Sequence, residues 1–207
     1  MEIESTAAYV QDRRVRRSRA ALMHAAITLV SERGTAAVSI SDIADAADVS
    51  RPVLYQHFGD RDTLLLEAGL DLAARELLPR ITGSVPAGSR DRALAVARHF
   101  ADHRAFYRAM LMSSSGFALN RELSGLLIPV NRQLVQQMSD STLDSQGAED
   151  LATFLTGGGA ALVNTWVVEG EDPLDPEAFT DRLMRMMPVA TAGLRRSSTT
   201  TDTEPDR

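Results

Sequence analysis

The chain is predicted to be all-α: an N-terminal three-helix domain built on a helix-turn-helix, followed by a larger helical domain. Three observations predict this. Between Ser39 and Leu64 two short helical patterns meet at a three-residue turn. Beyond Arg61 every strong apolar pattern has helical period, and no strand alternation or hairpin signal competes with it. A chain of 207 residues with 44% hydrophobic content can also bury a core of ordinary size with a small domain appended.

Composition narrows the function classes. There is no cysteine, which excludes disulfides and thiolate metal sites. No stretch is read as approaching the length of a membrane span, and the N-terminus lacks the apolar core of a signal peptide, so a soluble cytoplasmic protein is expected. The net charge of -6 is unevenly divided: Arg13 to Arg61 holds eight arginines against five acids, a balance of +3, and the remainder is acidic. That asymmetry is the footprint of nucleic-acid binding carried on an acidic body. All 22 basic residues are arginine, which a GC-rich coding sequence explains without a functional reason.

Along the chain, residues 1–12 are polar and unpatterned and are read as a loose N-terminus. The run Arg13, Arg14, Arg16, Arg17, Arg19 precedes a helix whose Leu22, Ala26, Leu29 and Val30 share one face and which stops at Gly34. Arg14 and Arg17 on this arm are candidates for phosphate or minor-groove contact; a merely solvated charge run is the alternative. Ser39 can cap the next helix with Asp42 as the acidic half of a capping box, and Ile43, Ala44 and Ala47 give it an apolar stripe. Asp48 breaks the pattern. A second short helix then opens at Ser50, whose hydroxyl can accept a backbone N–H, with Pro52 in its first turn.

Leu54 and Phe58, four apart, anchor this helix inward, leaving Arg51, Val53, Tyr55, Gln56 and His57 on the outer side and its margins. Arginine can take two acceptors on a guanine edge, a valine methyl can touch thymine, and tyrosine and histidine can donate to phosphate oxygens. Such a set suits a helix lying in the major groove.

At these residues the chain resembles the tetracycline-repressor (TetR) family of transcriptional regulators. The resemblance covers residues 17 to 68: Arg19-x-x-Leu22-x-x-Ala25-Ala26-x-x-Leu29 ending at Gly34, Ile43-Ala44-x-x-Ala47-x-Val49-Ser50-x-x-x-Leu54-Tyr55-x-His57-Phe58, and Arg61-Asp62-x-Leu64-Leu65. It implies base or phosphate contacts from Ser41, Ser50, Arg51, Pro52, Val53, Tyr55, Gln56, His57 and Arg61. Two positions depart from the family pattern. Asp48 stands where glycine is usual, at a turn that favours a left-handed backbone, which Asp tolerates at modest cost. Arg61 replaces the usual lysine, keeping the charge but not the compact ammonium.

The resulting domain expectation is a DNA-binding domain at 13–64, a ligand-binding and dimerisation domain at 65–194, and a disordered tail at 195–207 rich in serine, threonine and acids. A fourth helix is expected from Arg61 through Leu78, with Pro79 and residues 82–89 marking a boundary. Further helices are expected at 89–101, 103–113, 119–139 with a kink at Pro129, 149–169, and 176–193 with a late kink at Pro188. Asp175 and Pro176 give the last of these a clean start.

Gly157, Gly158 and Gly159 interrupt an apolar helical run. A phosphate loop is excluded because no strand precedes it and no Lys-Ser or Lys-Thr follows. Close helix-helix approach extending over Ala160 and Ala161 is preferred, with a kinked helix as the alternative, and the family resemblance places homodimerisation on the last two helices. Gly157, Gly158 and Ala161 are the candidate dimer residues.

His99 and His103, four apart with Asp102 between them, invite a zinc reading and hence a metal-dependent enzyme. Asp102 looks like a cap separating them onto two helices, and Phe100 stands where a glutamate base would, so structural or ligand-lining roles are preferred. No catalytic residue, metal or cofactor is expected. Phe100, His103, Phe106, Tyr107, Met110, Phe117, Asn131, Gln133, Phe154 and Trp166 form either a core or an apolar effector pocket with occasional polar anchors.

The combined expectation is a homodimeric regulator, a repressor, that binds an inverted-repeat operator and is released by a small hydrophobic or aromatic effector. A ligand-independent regulator or an activator shares every one of these residues.

Overall fold

The computed structural model describes residues 2–83, 89–138 and 143–196. They form ten α-helices and one π-helical turn: α1 Glu2–Arg33, α2 Ile40–Ala46, α3 Arg51–Phe58, α4 Arg61–Leu72, the π turn Ala73–Leu77, α5 Leu78–Thr82, α6 Ser89–Asp102, α7 Arg104–Leu111, α8 Gly116–Met138, α9 Ser145–Glu169 and α10 Pro176–Arg196. No strand occurs among the described residues, so the all-α expectation holds. Residues 84–88, within the expected boundary, and 197–207 of the expected tail lie outside them.

The described residues divide into two compact units, one drawn from residues 2–75 and 102–122 and the other from residues 76–101 and 123–196. In the first unit α1 packs against α2, α3, α4 and α7. Leu22, Ala26 and Val30 of α1, Ile43 of α2, Leu54 and Phe58 of α3, Leu64 and Leu65 of α4, and Phe106, Tyr107 and Met110 of α7 are buried there. These large apolar side chains are the unit's main source of hydrophobic stabilisation. Side chains of α7 and α8 close over Gly69 of α4: a Cβ there would meet Leu119 Cδ1 at 3.1 Å and Phe106 Cε1 at 3.2 Å. The buried Tyr107 hydroxyl donates to the Gly69 carbonyl at 3.3 Å.

In the second unit Val135 of α8 packs with Ala148 and Ala152 of α9, flanked by Leu143, Leu151 and Leu155. Asn131 Nδ2 donates to Thr156 Oγ1 at 2.7 Å, Thr156 in turn donates to the Ala152 carbonyl, and Arg132 pairs with Glu149. Trp166 of α9 stacks on Phe179 of α10 with centroids 4.2 Å apart and planes 15° from parallel. Arg90 and Arg98 of α6 reach Glu177 of α10, and Arg90 also reaches Asp181.

Several boundaries differ from the sequence expectation. Helix α1 begins at Glu2, because neither glycine nor proline interrupts Glu2–Arg33 and Asp12 pairs with Arg16 one turn on at 2.8 Å. The expected fourth helix is divided by the π turn. Helix α8 starts at Gly116 and continues through Pro129, and α10 continues through Pro188. Helix α9 starts earlier than expected, because Asp144 Oδ1 accepts the Gly147 N–H at 2.7 Å and caps it. Asp175 caps α10 as expected, accepting from the Ala178 N–H at 3.0 Å.

One expectation about membranes is corrected. By length and composition α9 is apolar enough to cross a membrane, with a mean hydropathy of 1.4 over 18 residues. Alanine, leucine and valine outweigh the threonines and glycines that break the run to the eye. Only 22% of that window is buried within the protomer.

Candidate nucleic-acid interface

The helix-turn-helix is set by caps and one strained residue. Ser39 Oγ accepts the Asp42 N–H at 3.0 Å and opens α2. Besides its hydrogen bonds with Ser39, the Asp42 carboxylate pairs with Arg33 of α1. That hydrogen bond first, and Ser39 second, hold its pKa below the ordinary carboxylate value. Asp48 has φ of 51°, the left-handed conformation the sequence requires at this turn. Ser50 is the N-cap residue of α3 with Pro52 in the first turn, but its hydroxyl makes no capping hydrogen bond, so the expected side-chain cap is absent. Gly59, at φ of 77°, ends α3 and donates to the Tyr55 carbonyl at 2.8 Å. Asp60 then caps α4 through the Thr63 N–H at 2.7 Å, which lowers its pKa.

Helix α3 is two-faced. Leu54 and Phe58 are buried, whereas Arg51, Pro52, Tyr55 and Gln56 are exposed and Val53 and His57 half-buried. Tyr55 is 51% exposed, high for an aromatic residue with core alternatives one turn away. Ser50 is exposed beside them, and Ser41 is half-buried on α2. Arg61 pairs with its neighbour Asp62 at 2.7 Å, so its guanidinium is partly engaged within the protein. Arg14 and Arg17 are exposed on α1. This face offers one arginine fork, an amide, a phenol and an apolar margin, the donor set of a groove-reading helix.

Two residues of α1, Ser18 and Arg19, hold α3 in place. Arg19 Nη1 donates to the His57 carbonyl at 2.8 Å, its guanidinium lies 4.4 Å from the Phe58 ring centroid, and Nη2 pairs with Glu67 of α4. Ser18 Oγ lies 2.8 Å from His57 Nε2. Burial first, and the Arg19 charge second, lower the His57 pKa. Arg19 was legible as a family-like position and as part of a basic run; its contact with α3 needs a fold to bring together residues 38 apart.

The other candidate residues are distributed across the fold. Phe106, Tyr107 and Met110 are fully buried in the first unit's core. Phe117 and Phe154 are 79% and 67% exposed. Phe100 is buried beside His99, Gln133 is exposed, Asn131 is bonded to Thr156, and Trp166 is stacked on Phe179. His99 lies in α6 whereas His103 is the N-cap residue of α7, so the two histidines belong to different elements, as their spacing around Asp102 suggests. Gly157, Gly158 and Ala161 are exposed on α9, and a Cβ at Gly157, Gly158 or Gly159 would meet nothing within 4 Å.

A family model described as bacterial regulatory proteins, tetR family, matches residues 22–68, and one described as transcriptional regulator C-terminal region matches residues 90–188. The chain belongs to the TetR family of transcriptional regulators. Within it, the HTH-type transcriptional repressor Rv3405c of Mycobacterium tuberculosis is 40% identical over 75 residues, 36% of this chain. The match spans only 39% of that relative's length. Among solved structures, a TetR-family regulator from Streptomyces coelicolor superposes with a TM-score of 0.57 at 23% identity, covering 90% of each chain. AlkX from Dietzia sp. strain DQ12-45-1b, a TetR-family repressor implicated in biodegradation of n-alkanes, has a TM-score of 0.52 at 20% identity, covering 86% of this chain and 97% of its own. At these identities the solved structures establish the shared fold. The tetR-family model spans the helix-turn-helix described above.

Proposed function

We propose that this TetR-family chain is a cytoplasmic repressor without catalytic activity that binds an inverted-repeat operator as a homodimer and leaves it when a small hydrophobic or aromatic effector binds. The observation that carries the DNA half is the division of α3 into a buried Leu54–Phe58 edge and an exposed Arg51–Tyr55–Gln56 face. In this reading Arg51 and Val53 read base edges, and Gln56, Ser41, Ser50, Tyr55, His57 and Arg61 serve bases or phosphates beside them. Arg14 and Arg17 supply sequence-independent phosphate attraction from α1. Repression, as opposed to activation, draws support from the names of Rv3405c and AlkX, and an apolar effector from the alkane context of AlkX.

The dimer is supported by α9. An apolar helix with less than a quarter of its window buried in the protomer needs a partner, and Gly157, Gly158 and Ala161 leave a smooth surface on which a second copy can sit. Two-fold symmetry then places two α3 helices in successive major grooves about 34–36 Å apart or a multiple of it. The effector acts by preferring the form whose two α3 helices no longer fit both grooves; equal affinity for both forms would shift nothing.

Sedimentation of the protein with a selected operator duplex tests this directly. Two chains per duplex, falling to none on adding the effector, is the expected result. One chain per single half-site would overturn the dimeric reading.

A further inference from the structure

The last turn of α3 is gripped from α1 at two adjacent residues. The His57 carbonyl is among the terminal carbonyls of the helix that lack an intrahelical partner, and Arg19 Nη1 supplies one at 2.8 Å. The same guanidinium places its charge at the negative end of the α3 dipole and covers the Phe58 ring at 4.4 Å. Its Nη2 pairs with Glu67, one-third exposed on α4, so three helices meet at one side chain. Lysine could not do this: it has neither the fork nor the flat face.

Ser18, the preceding residue, holds the His57 side chain. Its hydroxyl lies 3.1 Å from the Arg14 carbonyl and 3.0 Å from the Val15 carbonyl, which anchors it on α1. The same oxygen pairs with His57 Nε2 at 2.8 Å, as donor or acceptor according to the His57 tautomer. Nε2 is thus committed to the protein and is not the atom that donates to a phosphate.

We propose that Ser18 and Arg19 are positioning residues for DNA binding: a two-point clamp, oriented by Glu67, that fixes the pitch of α3 against α1 without itself touching DNA. The clamp rests on the reading of α3 as the groove-reading helix. Because it is internal to the protein, it also has a consequence in the absence of DNA.

Hydrogen exchange on the DNA-free protein reads that consequence. Arg19→Lys and Glu67→Gln are expected to raise exchange of the Tyr55–Gly59 amides at least tenfold while α2 amides stay at the wild-type rate. Operator titration then reads the effect on binding. Arg19→Lys is expected to lose at least tenfold in affinity with an unchanged salt slope, since no phosphate contact is removed. Ser18→Thr, which keeps the hydroxyl, is expected to bind as wild type, and Ser18→Val, isosteric with the threonine variant, to lose affinity.

Unchanged exchange in Arg19→Lys would overturn the clamp. So would a salt slope reduced by about one, which would make Arg19 a phosphate contact, or equal binding by Ser18→Thr and Ser18→Val. Faster exchange in a protein whose wild type selects no DNA sequence would leave the clamp standing and overturn the groove-reading role of α3.

Discussion

Arg51, Asp48 and His57 each make a distinct physical demand that a single substitution can expose. Arg51 is exposed on the free face of α3; as a base reader, its replacement by alanine costs about 1–3 kcal/mol on the preferred operator and relaxes specificity at one position per half-site. Quantitative binding to a panel of single-base operator variants checks this. Asp48 carries a left-handed backbone at φ of 51°. Asp48→Gly removes that strain against a gain in unfolded-chain entropy and is expected to be neutral or stabilising by about 0.4–1 kcal/mol in denaturant unfolding. A clear loss would show that the Asp48 carboxylate itself supports the turn.

His57 sets a pH dependence. Burial and Arg19 lower its folded pKa below the ordinary 6.5, so the unfolded chain binds the proton more readily and stability rises with pH in this window. The contribution is therefore fully present above about pH 6.5 and is lost as pH falls through the unfolded pKa toward the folded one. Unfolding midpoints measured between pH 7 and 5 are expected to fall more steeply in wild type than in His57→Gln.

At the scale of the element, α9 separates local from assembled stability. Gly158 is exposed in a helix interior with open space where a Cβ would stand. Gly158→Ala is expected to stabilise the isolated protomer by about 1 kcal/mol through helix propensity. Gly158→Leu is expected to shift the dimer to higher dissociation constants in ultracentrifugation by forcing the partner helix away. A leucine variant that stays dimeric at wild-type dilution would place the interface elsewhere.

The same helix shows why legibility varied. Ser39, Asp48, Pro52 and the Leu54/Phe58 pair are local signals, and α2, the turn and α3 fall where those signals put them. In α9 the apolar run was legible but its span-like length was not, because Asp144 extends the helix beyond its patterned part. The π turn at Ala73–Leu77 has no such punctuation, since AAREL reads as ordinary helix. On α3 the outward face was readable from spacing alone. The grip of Ser18 and Arg19 on it was not, because a contact across 38 or 39 residues depends on how α1 packs.

For the whole molecule, the proposed regulation is a coupling between effector and operator. Trp166 is the single tryptophan, stacked on Phe179 and 8% exposed, so its fluorescence reports changes in the packing of α9 on α10. A true effector is expected to change that fluorescence and to weaken operator binding by about 1–3 kcal/mol, and saturating operator must lower effector affinity by the same factor.

The most direct measurement is selection of bound fragments from a random DNA pool by the wild-type protein and by Arg51→Ala in parallel. Wild type is expected to enrich an inverted repeat whose half-site centres lie about one helical turn, 10–10.5 base pairs, or a multiple apart. Arg51→Ala is expected to enrich the same repeat with one symmetric pair of positions degenerate. Enrichment of an identical, fully specified repeat by both proteins, or of no repeat by wild type, would contradict α3 as the helix that reads the operator.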